Sequence, residues 1–174
     1  MKQLLLMRHA KSSWSNPDVR DFDRTLNERG HSAADKMATY LSKSYPQPDQ
    51  INCSTARRTR ETLGYLLKAY AHPMNIVLTR KIYEASYGAI MELVHGVSDD
   101  VQTLMIVGHN PGMEEMAFSL CGDGDAKAFE RLGFKYPTAA CAHLSFDVQS
   151  WSDLTRGCGF LTDFICPKII SKMG

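Results

Sequence analysis

The stretch TLMIVG, residues 103 to 108, is apolar almost from end to end and no longer than a strand, and a second apolar run, Leu4 to Met7, opens the chain. Strands without a polar face belong to a sheet covered on both sides, which calls for helices above and below it. The rest of the chain supplies them. In TLNERGHSAADKMATYLSKS the residues Ala34, Met37, Ala38 and Leu41 fall at helical spacing, and the segment behind INCS repeats that spacing with Leu63, Leu66, Leu67 and Tyr70. YGAIMELVHGV carries Ile90, Leu93, Val94 and Val97 in the same way. In NPGMEEMAFSLCG the sequence predicts Asn110 as the helix cap, Pro111 at the first helical position, a buried stripe of Met113, Met116, Ala117 and Leu120, and Gly122 as terminator. The first strand covers about residues 3 to 8. Further strands are predicted at INCS, at NIVLT, over 140–148 as a half-exposed strand through Ala142, Leu144, Phe146 and Val148, and within 158–166. Strands alternating with helices, with no repeat or linker, predict a single α/β domain over residues 1–174, a three-layer sandwich with a mostly parallel central sheet flanked by helices.

Composition narrows the function. A formal charge of +1 and a pI near 7.7 leave no broad field to hold nucleic acid or an anionic membrane, so neither is expected as a partner. Five scattered cysteines without a C-x-x-C pair predict free thiols in a reducing compartment. No signal peptide or membrane span is recognisable, and a cytoplasmic protein is expected. The six histidines show no metal-ligand spacing and neither glycine-rich nucleotide loop is present, so no metal and no cofactor is expected. GDGDA, residues 122 to 126, reads as a helix exit and turn. Cys53 reads as a small buried hydrophobe.

The chemistry collects where strands end. In open α/β sheets the functional crevice lies beyond the carboxyl ends of the strands. The first strand runs straight into Arg8 and His9; INCS leads into Ser54 and three arginines, Arg57, Arg58 and Arg60; Glu84 lies beyond IVLT; TLMIVG ends on His109. His109 also stands before a helix N-terminus, whose free N–H groups favour an anion. Two strands that each end in histidine, with arginines nearby, predict a pocket for a compact, doubly charged anion, and phosphate matches the guanidinium fork. Helical phase, taken from Leu63, Leu66, Leu67 and Tyr70 as the buried face, puts Arg57 and Arg58 at similar distances to either side of it and does not choose between them.

These blocks, MRHAKS, STARRTRET, YEAS and VGHNPG in that order, resemble the histidine phosphatase superfamily, the phosphoglycerate mutase-like fold. The compact length, RHA in place of R-H-G, and PTAACAHLSFD look most like its SixA-type phosphohistidine phosphatase branch, over about residues 3 to 148. The resemblance implies that His9 is a nucleophile that accepts the phosphoryl group, with Arg8, Arg58 and His109 holding its oxygens. The family pattern Ser-x-x-x-Arg-x-x-x-Thr fits Ser54, Arg58 and Thr62 and favours Arg58 over Arg57. Glu84 resembles the acid that protonates the leaving group. Ser15 stands where many relatives carry a phosphate-contacting Asn, with Asn16 beside it, and Thr55 replaces a frequent Pro. The implied activity is a metal-independent phosphatase working through a phosphohistidine intermediate on a phosphohistidine protein, with inorganic phosphate as product. Alternatives are a phosphatase of a small phosphoester, a mutase, and a phosphate-recognising module without turnover. No block remains for a large lid, and an open cleft suits a phosphoprotein.

Overall fold

The computed structural model describes residues 1–173. Seven strands form one sheet in the order β3-β2-β4-β1-β6-β7-β5. They are β1 (Lys2–Arg8), β2 (Gln50–Ser54), β3 (Asn75–Thr79), β4 (Thr103–Gly108), β5 (Cys121–Gly124), β6 (Cys141–Phe146) and β7 (Gly159–Ile165). The pairs β3/β2, β2/β4, β4/β1 and β7/β5 are parallel, while β1/β6 and β6/β7 are antiparallel. The sheet is mostly parallel, as its unbroken apolar strands require. Alternation along β1 and β4 divides the core in two. Leu4, Leu6, Leu104 and Ile106 face α3 (Tyr87–His95), α4 (Gly112–Leu120) and α5 (Ala126–Phe134). Leu5, Met7, Met105 and Val107 face α1 (Glu28–Ser44) and α2 (Arg57–Ala69). A last helix, α6 (Pro167–Met173), packs against α1.

Register is what builds the site. Arg8 pairs with Gly108 across β1/β4, and Cys53 with Val107 across β2/β4. The three neighbouring strands therefore end at one level, and His9, Ser54 and His109 emerge side by side.

The predicted stripes of α1 and α4 are buried in full. Four expectations need correction. The N-terminal caps differ: α4 begins at Gly112, Pro111 occupies the cap position, and the Asn110 amide turns away to donate to Glu114 Oε2 and the Tyr136 carbonyl. At α2 the cap position is held by Ala56, with no side-chain cap bond. The second correction concerns α2, where Leu67 is 44% exposed and the buried face runs through Arg58, Thr59, Thr62, Leu63 and Leu66. Four threonine and leucine positions one step round the helix outweigh the apolar residue that the sequence pattern chose. The third concerns GDGDA. Residues Cys121–Gly124 form an edge strand against β7, and Asp125 then caps α5 by accepting from the Ala128 N–H at 2.9 Å. Gly122 does not stop a helix; it lets the backbone approach Gly157, whose carbonyl oxygen lies 1.9 Å from where a Cβ would stand. The segment predicted as a half-exposed strand is buried along nearly all of β6, because β1 and β7 flank it and helices cover both faces.

Candidate active site

Arg58 is the hub. Its Nε–H donates to His9 Nε2 at 3.2 Å, and Nη2 donates to His109 Nδ1 at 3.2 Å and to Asp21 Oδ2 at 3.0 Å. Nη1 donates to the Asp21 carbonyl at 2.6 Å. Only donors sit on a guanidinium, so both imidazole nitrogens facing Arg58 must be acceptors. The tautomers follow. His9 carries its proton on Nδ1 and donates it to the Ala10 carbonyl at 2.7 Å; His109 carries its proton on Nε2 and donates to Ser54 Oγ at 2.8 Å. The two rings lie 5.1 Å apart. His9, Arg58 and His109 are each 7% exposed, which leaves a narrow opening to water at all three.

Arg58 and Thr62, four residues apart, share one face of α2, and Ser54 ends β2 just before it. Thr62 Oγ1 donates to the Arg58 carbonyl at 2.8 Å and accepts the Ala10 N–H at 3.0 Å, which ties the helix to the turn behind His9. Arg57 is exposed and pairs with Glu61 at 3.1 Å, and Arg60 is exposed and donates to the Thr55 carbonyl. The structure thus separates the three arginines: one enters the site and two face water. Arg8 is half-buried; its Nη1 donates to the Tyr136 carbonyl at 2.8 Å, while its buried Nε has no partner.

Burial dominates the electrostatics. It pushes the pKa of His9 down to about 3, helped by the charges of His109, Arg58 and Arg8 and resisted by the bond to Ala10. Burial and Arg58 push His109 down to about 4, with Arg8 acting in the same sense and Asp21 opposing. Both imidazoles are neutral at pH 7. Cys53, packed in β2, has its thiol pushed up to about 12 by burial, so it stays a protonated packing residue.

Asp21 was not foreseen. It opens a short 3-10 turn, Asp21–Asp23, and accepts from Tyr83 Oη at 2.7 Å as well as from Arg58. Burial opposes its charge, but Tyr83, Arg58 and Arg24 together hold its carboxyl below the ordinary range. The polar loop contains Asp18, Asp21 and Asp23, and nothing in the sequence distinguishes the one that reaches Arg58. Tyr83 stands edge-on to His109 at 5.4 Å and was likewise missed.

Glu84 follows Tyr83 and is exposed at this rim, with a φ of 52°. A left-handed backbone at a non-glycine residue carries strain of about 1 kcal/mol. Gly112 supports the conformation: a Cβ there would lie 2.7 Å from the Ala85 carbonyl oxygen, so the glycine of HNPG lets this segment lie against α4. Ser15 is exposed and bonds Ser13 Oγ at 2.9 Å rather than any member of the cluster. Among the described residues no three His, Cys, Asp or Glu side chains converge as a metal site, and no helix is long and apolar enough to cross a membrane.

Two neutral imidazoles, joined by one buried guanidinium, thus stand at the ends of adjacent parallel strands. The model of the histidine phosphatase superfamily (branch 1) matches residues 4–104. An uncharacterized protein of Mycobacterium tuberculosis, Rv1276c, is 36% identical over 166 residues, covering 93% of this chain and all of that one. The crystal structure of a candidate phosphohistidine phosphatase SixA from Agrobacterium tumefaciens superposes with a TM-score of 0.80 at 32% identity, covering 95% of this chain and 98% of the other. A second candidate SixA, from Nakamurella multipartitia, gives 0.81 at 28% identity over 95% and 96%. The chain belongs to the histidine phosphatase superfamily, and these two structural neighbours are of the SixA type.

Proposed function

We propose that this protein is a phosphatase that takes a phosphoryl group onto His9 Nε2 and passes it to water, with a phosphohistidine protein as substrate. The observation that carries the reading is the lone pair on His9 Nε2, fixed by the Nδ1–H bond to Ala10 and kept unprotonated by burial. An arriving phosphoryl group displaces Asp21 from Arg58, whose N–H groups turn from the two imidazoles to the phosphoryl oxygens. Arg8 adds a second cation. His109 Nδ1 takes up a proton as the anion raises its pKa, and becomes a donor to the same oxygens. His9 Nε2 then attacks phosphorus as the bond to the leaving group breaks. Water attacks the phosphohistidine in the second step, the P–N bond breaks, and inorganic phosphate leaves. Charge on the equatorial oxygens is met by preorganised donors in both steps.

Glu84 serves as proton donor to the leaving group, a role an O-phosphate ester needs more than a phosphoramidate, whose nitrogen solvent can protonate. Similarity to SixA-type proteins supports a protein substrate. Five free cysteines support a reducing, cytoplasmic setting. The test compares wild type and Glu84→Gln on an alkyl phosphate and on a phosphohistidine peptide, in EDTA. The expected result is turnover of both by wild type, with the alkyl phosphate slowed far more by the substitution; a peptide left intact by wild type contradicts the substrate assignment.

A further inference from the structure

A cleft of about 1490 Å³ lies outside the phosphate site, between α1, α5 and α6. Eight of the chain's 20 lysines and arginines line it, against two of its 19 acidic residues. A protein of net charge +1 therefore concentrates its positive potential in one place. Lys11, Arg29, Lys127, Lys135 and Lys168 make no ion pair among the described residues, so their charge is available to a partner. The lining is also apolar in part. Phe164 and Ile169 contribute to it, and Phe134 stands at its edge 89% exposed. A large aromatic left in water beside a charged groove is the kind of residue that anchors protein contacts.

The cleft adjoins the reacting centre through the backbone. Lys11 lies two residues beyond His9. On the facing wall, Pro137 and Thr138 belong to the segment whose Tyr136 carbonyl holds Arg8 and whose Ala139 N–H donates to the His9 carbonyl at 2.9 Å. Its volume exceeds the range of about 300–1,000 Å³ usual for small-molecule pockets. Cations around an apolar floor fit a chain that presents carboxylates on one side and aliphatic groups on the other.

We propose that this cleft docks an acidic, amphipathic segment of the phosphorylated protein substrate, so that the phosphorylated residue beside that segment enters the His9 pocket. The inference rests on the reading of the protein as a phosphoprotein phosphatase. Steering by the cleft raises the encounter rate, and Phe134 slows departure.

The test uses the full chain and a fluorescent, unphosphorylated peptide that alternates glutamates with a leucine face, read by anisotropy, with aryl phosphate turnover measured in parallel. Binding to wild type is expected to weaken about tenfold in the double variant Lys127→Glu/Lys135→Glu, to weaken in Phe134→Ala, and to fall with added salt. Aryl phosphate turnover should stay within about twofold in both variants, which also shows that they fold. Equal peptide binding by wild type and variants overturns the proposal, as does capture of single-stranded RNA or anionic vesicles in preference to the peptide. Loss of aryl phosphate turnover in wild type would strike the phosphatase reading instead, and the anisotropy result would still decide what the cleft binds.

Discussion

The Nε–H of Arg58 points at His9 Nε2 across 3.2 Å while His9 Nδ1 is held by its neighbour's carbonyl at 2.7 Å. One tautomer and one ring orientation satisfy both bonds. The nitrogen that faces Arg58 is therefore the one with the lone pair, and burial keeps it so. Ring nitrogen shifts followed by NMR should show His9 as the Nδ1–H form, with no protonation midpoint between pH 5 and 8 in the free protein. A midpoint near 6.5 would contradict the fixed neutral nucleophile.

The same burial makes the fold sensitive to acid. His9 and His109 have folded-state pKa values of about 3 and about 4 against 6.5 when unfolded. Between those limits the unfolded chain binds more protons than the native one, so stability rises with pH across that window and is level in these groups above it. Each histidine contributes a slope of about 1.4 kcal/mol per pH unit inside the window. Urea titrations should show stability falling from pH 6.5 toward pH 4, with a shallower fall in His109→Gln. A curve that stays flat over that range would mean the two rings charge freely in the native state.

Arg58 is not replaceable by another cation. Its planar fork reaches His9, His109 and Asp21 together, whereas an ammonium presents a point charge on a flexible stem. Charge-assisted bonds of about 1.5–3 kcal/mol each make the loss of two of them a drop of about a hundredfold or more. Arg58→Lys should therefore lower kcat/KM by at least that factor. Within tenfold of wild type, geometry would not be the reason for arginine.

Asp21 occupies the guanidinium that the proposed mechanism gives to the phosphoryl group, and Tyr83 steadies it there. Its carboxylate repels a dianion bound to Arg58. Asp21→Asn keeps the shape and removes the charge, so sulfate, measured by calorimetry, should bind several-fold more tightly. Weaker binding would show that the carboxylate acts chiefly to position Arg58.

Much of this was legible in the sequence because strand ends carry it. Arg8, His9 and His109 follow apolar runs whose boundaries are sharp, and parallel register turned three distant positions into neighbours. Arg58 needed the family pattern, since Leu67, apolar yet 44% exposed, pulled the apparent face of α2 the wrong way. Asp21 and Tyr83 were invisible because their roles depend on where a polar loop and a 3-10 turn settle, which no periodicity encodes. The edge strand β5 is equally obscure, being four residues with two glycines, and α5 was hidden behind it although Asp125 with Ala128 and Leu132 gives a cap and one buried face.

The most direct test is a rapid-quench reaction with a radiolabelled phosphohistidine peptide, in which acid-labile, base-stable label is located on the protein. The account predicts label on His9 during turnover, and no label and no turnover in a folded His9→Ala variant. Turnover by that variant near the wild-type rate, or label on another residue, would contradict it.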